Sequence, residues 1–193
     1  MTYTTINPPV PPFSLDGLPV PELRAYYDWF IGEIPARIQE LEANVQETKG
    51  YERWGADFSE ESLDALGTWF VGQVSTRKLT REEVEEVKKN ISFPVELPID
   101  DWRLDLKTLS LCVDIGMYMG EVFRTNHPSV HWDIKLKGSR NYIDFGAPVL
   151  IGFGEVPMNP LRIVEVVAIK KVKGKSHSSP IADIYNVWKR DIA

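Results

Sequence analysis

The sequence predicts an α+β fold of about six helices packed on a small antiparallel sheet formed by residues 130–153. Two patterns indicate this fold. The stretch Leu104–Phe123 is apolar on nearly all of its helical faces, and a helix of that kind is normally buried among neighbouring elements. In Val130–Lys137 the apolar side chains occupy every second position, which is typical of a half-buried strand.

The N-terminal end of the chain differs in composition from the rest. Residues 1–21 contain six prolines, which favours an extended, polyproline-like arm. Residues 22–193 have the length and apolar content of a single α+β domain. We expect the arm to lie on its own domain, pinned by Phe13 and Leu15; the alternative is a proline-rich ligand for a groove on a partner.

A long amphipathic helix follows the arm. Pro21 suits a first helical position, and apolar residues then recur at spacings of three and four up to Val45. Gly32 and Pro35 interrupt the helix-forming sequence, which predicts either a kink or two consecutive helices.

Two shorter helices are expected before residue 100. Ser59 is placed to cap the first of them, with acidic residues near the positive end of the helix. Thr80 and Glu83 have the spacing of a capping box, which predicts a second helix that ends near Asn90.

The central apolar helix is expected to begin at Asp100 or Asp101 and to stop before Pro128. Cys112, Gly116 and Gly120 repeat every four residues along it and form a narrow strip. Such a strip lets another element approach the helix closely, so we interpret it as tight packing within the domain.

The remaining elements complete the sheet and the C-terminal helices. Tyr142–Phe145 is predicted to pair with Val130–Lys137 as a hairpin, and Val149–Phe153 to add a third strand. Asn159 and Pro160 then predict a helix to about Val172, for which a strand is the alternative because of its β-branched residues. Ser179 and Pro180 predict the start of a last helix.

The charge is distributed unevenly along the chain. The net charge is −6 overall, but residues 1–105 hold 20 acidic and 10 basic side chains while residues 106–193 hold 8 acidic and 12 basic ones. The overall sign disfavours nonspecific binding to nucleic acid or to an anionic membrane. The acidic half is either a set of solvated helix surfaces or an acidic face for a basic protein partner.

The sequence also predicts a soluble cytoplasmic protein. The single cysteine, Cys112, excludes an intramolecular disulfide and suits a reducing compartment. No signal peptide is expected from the N-terminus, and no apolar run approaches the ~20 residues of a membrane span.

Two carboxylates on the central helix are candidate functional groups. Lys107, Asp114 and Glu121 are spaced by seven, which places them on one side of the helix with Tyr118 nearby. Carboxylates on an apolar helix can serve acid–base chemistry or hold a metal. The alternative is a solvent-facing edge of the helix, or an anchor for loop backbone. Of the two, Glu121 is the better candidate because it precedes the helix end by one turn.

Other residues that could carry chemistry have simpler interpretations. The spacing of His127 and His131 differs from that of a helical zinc site, so His127 is expected to be a helix cap or exposed and no metal site is predicted. Cys112 lies in the buried helix and is expected to be inert. No phosphate-binding or dinucleotide-binding loop occurs, so no cofactor is expected. Aromatic residues crowd the first long helix, and Trp29 is a candidate contact residue.

The order of motifs after residue 104 supports a resemblance. A helix with Gly116-x-Tyr118-x-Gly120-Glu121, a strand with Trp132, a hairpin and an Asn159-Pro160 helix follow one another. This order resembles small uncharacterised bacterial proteins of domain-of-unknown-function families, some of which occur near toxin systems as immunity-like proteins. The resemblance implies a bacterial, cytosolic α+β protein and brings no catalytic residues.

The sequence is compatible with three hypotheses for the function. The leading hypothesis is a non-enzymatic binding protein, an immunity-type inhibitor of a basic toxin that uses Glu40, Glu42 and Glu47 on an acidic face. The second is a small-molecule or metal-binding domain with weak hydrolase-like chemistry at Asp114 and Glu121. The third is an oligomeric scaffold that assembles through the aromatic N-terminal helix; the sequence does not predict the oligomeric state.

Overall fold

The computed structural model describes residues 3–10, 12, 15, 17–90, 100–136, 138–140, 142–175 and 180–192. Within them the chain forms six α-helices and two antiparallel two-stranded sheets, so the predicted α+β class is confirmed. In chain order the elements are α1 (Val20–Gln46), α2 (Ser62–Gln73), β1 (Thr76–Lys78), α3 (Arg81–Asn90), β2 (Trp102–Leu104), α4 (Leu106–Asn126), β3 (His131–Ile134), β4 (Pro148–Ile151), α5 (Pro160–Val172) and α6 (Pro180–Trp188). None of the helices described is long and apolar enough to cross a membrane.

Helix α4 lies at the centre of the main hydrophobic core. Every residue from Ser110 to Gly120 is buried. Helices α5 and α1 make the most extensive helix contacts with α4, while α2 touches it and packs against α6. Large side chains on these neighbours, such as Phe30, Phe70 and Tyr185, are fully buried around it. Burying each of them contributes about 1.5–3 kcal/mol, so most of the hydrophobic stabilisation is organised around α4.

Two glycines of α4 allow the close approach that their spacing predicts. A Cβ atom on Gly116 would lie 2.9 Å from the Cα of Leu161, so only glycine lets α5 pack at this depth. A Cβ on Gly120 would overlap the Trp132 indole and lie 2.7 Å from its Cη2 atom. The glycine strip is therefore where α5 and β3 rest directly on the α4 backbone.

The sheet of residues 130–153 has two strands, and the predicted hairpin partner is wrong. Strand β3 pairs antiparallel with β4, with Trp132 opposite Leu150. Tyr142–Phe145 forms turns instead of a strand. The buried Asp144 carboxylate accepts hydrogen bonds from Asn159, the cap of α5, and from Arg162 on α5, and these bonds favour turns over a strand in this segment. The end of the predicted strand at Lys137 lies outside the described residues.

The start of the central helix also differs from the prediction at Asp100 or Asp101. Trp102–Leu104 pairs antiparallel with β1 and so is a strand. The helix begins at Leu106 instead, because Asp105 is its cap and accepts a hydrogen bond from the Thr108 N–H at 2.8 Å. This second small sheet was not expected from the sequence.

The first helix is continuous, so the alternative of two consecutive helices is wrong. Pro35 lies inside α1 on its exposed side, where its ring removes one helical hydrogen bond without disturbing the buried face. The apolar repeat continues past it on the buried face, through Ile34 and Ile38. Packing of that face against α4 therefore holds the two halves of α1 together.

The other predicted helix boundaries agree closely with the structure. The capping box is present, with Thr80 Oγ1 accepting from the Glu83 N–H and Glu83 accepting from the Thr80 N–H. Asn159 caps α5, which excludes the alternative strand. Helix α2 begins at Ser62, two residues later than expected, so that Glu61 and not Ser59 holds the cap position. Ser59 Oγ still accepts a hydrogen bond from the Ser62 N–H. Ser179, the predicted start of the last helix, lies outside the described residues.

The described part of the N-terminal arm lies on the domain. Ile6 is buried in the main core, whereas Leu15 belongs to a second, smaller cluster with Leu23, Tyr26 and Ala147. Phe13, the other expected anchor, lies outside the described residues. The arm therefore adds apolar contacts at two separate places.

A glycine-to-alanine pair tests the close packing on α4. We expect Gly120→Ala to lower the free energy of unfolding by about 1–3 kcal/mol, because the new methyl group collides with the Trp132 ring. The control is Gly32→Ala in the exposed interior of α1, where nothing lies within 4 Å. There alanine should raise stability by about 0.5–1 kcal/mol. Urea unfolding measures both, and equal effects would contradict the packing argument.

Candidate functional site

Arg37 on α1 and Asp114 on α4 form a buried bidentate ion pair. Arg37 Nε donates to Asp114 Oδ1 at 2.8 Å, and Arg37 Nη2 donates to Oδ2 at 2.7 Å. The two side chains are 9% and 0% exposed. The Tyr3 hydroxyl donates to the same Oδ2 atom. Both carboxylate oxygens are thus occupied, and the buried charge is matched by its partner.

The protonation of this cluster follows from its burial and its geometry. Burial raises the pKa of the Asp114 carboxyl, while the Arg37 and Tyr3 hydrogen bonds oppose that rise. Burial lowers the pKa of Arg37, but the bond to Asp114 outweighs it and the net direction is upward. Burial and the Asp114 charge raise the pKa of Tyr3. The two parallel N–H···O bonds fit the ionised pair, with Tyr3 as a neutral donor.

The ion pair belongs to a set of bonds that hold the N-terminal segment. Arg37 Nη2 also donates to the Thr4 carbonyl at 2.9 Å, and Glu40 accepts from the Thr4 N–H. One turn away on α4, Ser110 Oγ accepts from the Ile6 N–H at 3.2 Å. Asp114 thus holds Arg37 and Tyr3 by side-chain bonds, and Arg37 in turn binds the backbone of the segment. Because Asp114 is fully buried, the interpretation of a solvent-facing edge is wrong for this residue.

Glu121 has a different environment from Asp114. Its Oε1 atom accepts from Trp132 Nε1 at 2.9 Å, and Arg124 donates to both of its oxygens at 2.8 Å. Its side chain is 17% exposed. The structure thus gives the two carboxylates separate sets of partners, and Glu121 fixes the indole that fills the space above Gly120.

Tyr118 connects α4 to the loop before α2. Its hydroxyl lies 2.7 Å from Ser62 Oγ and accepts from the Phe58 N–H at 3.2 Å. Phe58 has a φ angle of 59°, a conformation that is uncommon for a bulky residue. Its carbonyl accepts from Asn126 Nδ2 at 2.8 Å. Two α4 side chains therefore hold both backbone groups of a strained loop residue.

His127 caps the end of α4 and joins a polar chain at the surface. Its Nε2 atom lies 3.0 Å from the Tyr185 hydroxyl, which donates to Glu60 at 3.2 Å. Lys189 then binds both oxygens of Glu60 at 2.6 and 2.7 Å. Burial lowers the pKa of His127 and raises that of Tyr185, so both are neutral near pH 7. Sequence reasoning missed Glu60, Tyr185 and Lys189 as a group, because no local pattern brings them together.

Trp29 and Cys112 are part of the packing. Trp29 is half-buried, lies 5.5 Å from the Tyr26 ring and contacts both hydrophobic clusters. The large number of aromatic residues on α1 follows from its position, because the helix packs against two hydrophobic clusters. Cys112 is fully buried, and burial raises the pKa of its thiol. Within the described ranges, no group of three or more His, Cys, Asp or Glu side chains is placed to hold a metal ion.

The acidic residues concentrate in one connected part of the surface. Residues 40–64, here called the acidic segment, carry eight acidic and two basic side chains, a net charge of −6. The segment runs from the end of α1 through a loop to the start of α2. Its parts are tied together by bonds from Gln46 to the Trp54 carbonyl and from the Ala56 N–H to Glu42, both 2.9 Å.

A groove lies on the acidic segment. Its volume is about 390 Å³ and its lining includes Tyr51, Arg53, Asp57, Glu61 and Ala65. Asp57 accepts from the N–H and hydroxyl of Ser59, and these bonds lower the pKa of its carboxyl. The groove therefore combines aromatic side chains with two carboxylates and one guanidinium, that of Arg53, so that its lining is negative by one charge. The lowered pKa keeps Asp57 ionised throughout the neutral range.

Removal of the buried cation tests the role of the ion pair. Arg37→Met leaves Asp114 buried without its cation, which should lower the free energy of unfolding by about 3–5 kcal/mol. The control is Glu40→Gln, which affects the same segment at a more exposed bond and should change stability by less than about 1 kcal/mol. Denaturant unfolding compares them. A loss for Arg37→Met no larger than for the control would contradict the structural role of the pair.

The lowered pKa of His127 predicts a pH effect on stability. The folded state binds the proton less readily than the unfolded chain, whose histidine pKa is about 6.5. The stabilisation from neutral His127 is therefore complete above that pH and is lost as the pH falls through and below it. His127→Gln keeps a hydrogen-bonding group and lacks the titration. The stability difference between wild type and variant should shrink from pH 7.5 to pH 5.5, and a constant or growing difference would contradict the interpretation.

Comparisons of the chain with protein-family models, with curated proteins and with solved structures found no match.

Proposed function

We propose that this protein is a non-catalytic binding protein, of the immunity-inhibitor type, whose acidic segment associates with a basic protein partner. The single observation that carries the proposal is the charge of residues 40–64, which equals the net charge of the whole chain within 25 residues. The rest of the chain is neutral in sum. A concentrated charge of one sign steers a partner of the opposite sign and raises its association rate.

The way the loop is held supports the proposal. Tyr118 and Asn126 bind the N–H and carbonyl of Phe58, which keeps this residue at a positive φ. The Trp54 indole donates to the Ser62 carbonyl at 3.0 Å and packs 5.5 Å from the Tyr118 ring. Strained backbone that the core holds in place is often found at functional surfaces. A loop already ordered before binding loses less conformational entropy when the partner binds.

The groove suggests which partner side chain the segment accepts. Asp57 and Glu61 are exposed at a groove that also contains Tyr51. A lysine or arginine side chain can place its apolar stem against the aromatic ring and its charge between the carboxylates. The proposed contact is therefore a basic side chain in this groove, with the rest of the segment supplying long-range attraction.

The residues first expected to form the acidic face need revision. Glu40 accepts from the Thr4 N–H and Glu42 from the Ala56 N–H, so both hold backbone. Reversing their charges would disturb the fold as well as the surface. Informative substitutions therefore lie in the loop and at the start of α2.

The hydrolase-like and scaffold hypotheses have less support. Asp114 has both oxygens occupied in the interior, and Glu121 is bound by Trp132 and Arg124. Asp114 and Glu121 bind different side chains, which gives no support for a single substrate site that both would line. Trp29 packs against two clusters of its own chain, which accounts for its position on α1 without a second copy.

The test removes three negative charges from the acidic segment by substitutions that keep the shape of each side chain. The variant Glu52→Gln, Asp57→Asn, Glu61→Gln retains the size of each side chain and one acceptor oxygen, which can still accept from the Gly50 and Ser59 N–H groups that Glu52 and Asp57 bind. The matched control Glu22→Gln, Glu86→Gln, Glu155→Gln removes three charges from exposed positions elsewhere. Each tagged protein is used to purify partners from its native cells, and the captured partner's association rate is then measured at two salt concentrations.

We expect the tagged wild type and the tagged control each to co-purify with a basic protein in a near-stoichiometric amount. The segment variant should associate at least about tenfold more slowly at low salt, with a smaller salt dependence, because the net charge of the segment falls from −6 to −3. Equal association of segment variant and control would contradict the acidic segment as the binding surface. Capture of an acidic partner would contradict the proposed partner class.

A further inference from the structure

A second concave site lies outside the acidic segment and has the opposite charge. The cleft has a volume of about 770 Å³, which is within the range of small-molecule sites. It lies between the arm, the turns that precede β4 and the start of α5. Its described lining contains two charged residues, Arg140 and Arg162, and both are basic. The remainder is largely apolar, with Tyr142 and Asn159 as further polar groups.

Arg162 is held in position before any ligand binds. Its Nε atom donates to Asp144 Oδ1 at 2.9 Å, and its Nη2 atom donates to the Ile143 carbonyl at 2.9 Å. Asn159 Nδ2 also donates to Asp144, at 2.7 Å, while Asn159 Oδ1 caps α5. These two bonds use two of the five N–H donors of the rigid, planar guanidinium, and the side chain is 34% exposed.

Arg140 supplies the second positive charge on an exposed turn. Its guanidinium lies 5.7 Å from the centre of the Phe145 ring, and Lys135 lies 4.0 Å from the centre of the Tyr142 ring. The first turn of α5, with its positive dipole end, faces the same region through Asn159. The Asp144 carboxylate offsets one of the three positive charges of Arg140, Arg162 and Lys135. The net charge of these four side chains is therefore positive, in a protein whose net charge is −6.

The apolar wall of the cleft continues into the smaller hydrophobic cluster. Leu15 and Ala147 line the cleft and pack with Leu23 and Tyr26. The hydroxyl of Tyr26 is buried without a hydrogen-bond partner, which is rare for such a group. A ligand in this cleft would therefore meet an apolar wall on one side and two guanidinium groups on the other.

We propose that this cleft binds a small organic anion, an aromatic or apolar body that bears a carboxylate or a phosphate. The anionic group is bound by Arg140 and Arg162, which recognise planar or tetrahedral oxygens in a bidentate manner. The body lies against the apolar wall that Leu15 and Ala147 form. This site is independent of the acidic segment, so the loss of one activity leaves the other intact.

The test uses a pair of probes that differ in charge. 1-Anilinonaphthalene-8-sulfonate is an aromatic anion whose fluorescence rises in an apolar site, and N-phenyl-1-naphthylamine has the same body without the sulfonate. Wild type should bind the sulfonate saturably at one site per chain. Arg140→Gln, at an exposed position, should weaken that binding about tenfold and leave the neutral probe within twofold, because it removes a charged hydrogen-bond donor. Arg81→Gln on α3 is the matched control and should have no effect.

Competition and mapping complete the test. Phenylacetate and phenyl phosphate are each added to the bound sulfonate, and the one that displaces it at lower concentration identifies the preferred anionic group. Amide chemical shifts should move at Gly17, Ala147 and Arg162. Failure of both competitors, equal losses for the two probes in Arg140→Gln, or shifts centred elsewhere would each overturn the proposal.

Discussion

The burial of α4 on all of its faces constrains almost every other part of this structure. A helix surrounded by other elements needs close neighbours, and Gly116 and Gly120 let α5 and the Trp132 indole rest on its backbone. It also needs a partner for each of its polar groups. Arg37 neutralises Asp114, and the Ser62 hydroxyl meets that of Tyr118. The positions of the arm, of the loop before α2 and of β3 follow from these requirements.

The same constraint explains why the polar residues of α4 are structural. In the interior an unpaired carboxylate or phenol is costly. On α4, Asp114, Tyr118 and Glu121 are each hydrogen-bonded to a group on another element. The two interactions proposed above are placed on the surface. The acidic segment follows α1, and the basic cleft precedes α5. The opposite charges of these two places suit two different ligands, a basic protein and a small organic anion.

Local patterns in the sequence predicted the elements better than their contacts. The Thr80–Glu83 box and the Asn159–Pro160 start depend on neighbouring residues only, and both helices begin as expected. The sequence predicts Asp100 or Asp101 as the start of α4, whereas Asp105 is its cap, because the β1–β2 pairing joins residues more than 20 positions apart and leaves no local pattern. Tyr142–Phe145 follows Gly138-Ser139 as the return strand of a hairpin would, but the bonds of Asp144 to Asn159 and Arg162 favour turns there. The Arg37–Asp114 pair spans 77 positions, and the −6 segment was visible only as a broad acidic half.

Native-state hydrogen exchange tests most directly whether α4 organises the fold. If α4 organises the fold, the amides from Leu111 to Phe123 exchange only through global unfolding, with the same free energy and denaturant dependence as the whole protein. The amides of α3, whose side chains are mostly exposed, should exchange through smaller local openings. Exchange of the α4 amides through local openings well below the global free energy would contradict the central place given to this helix.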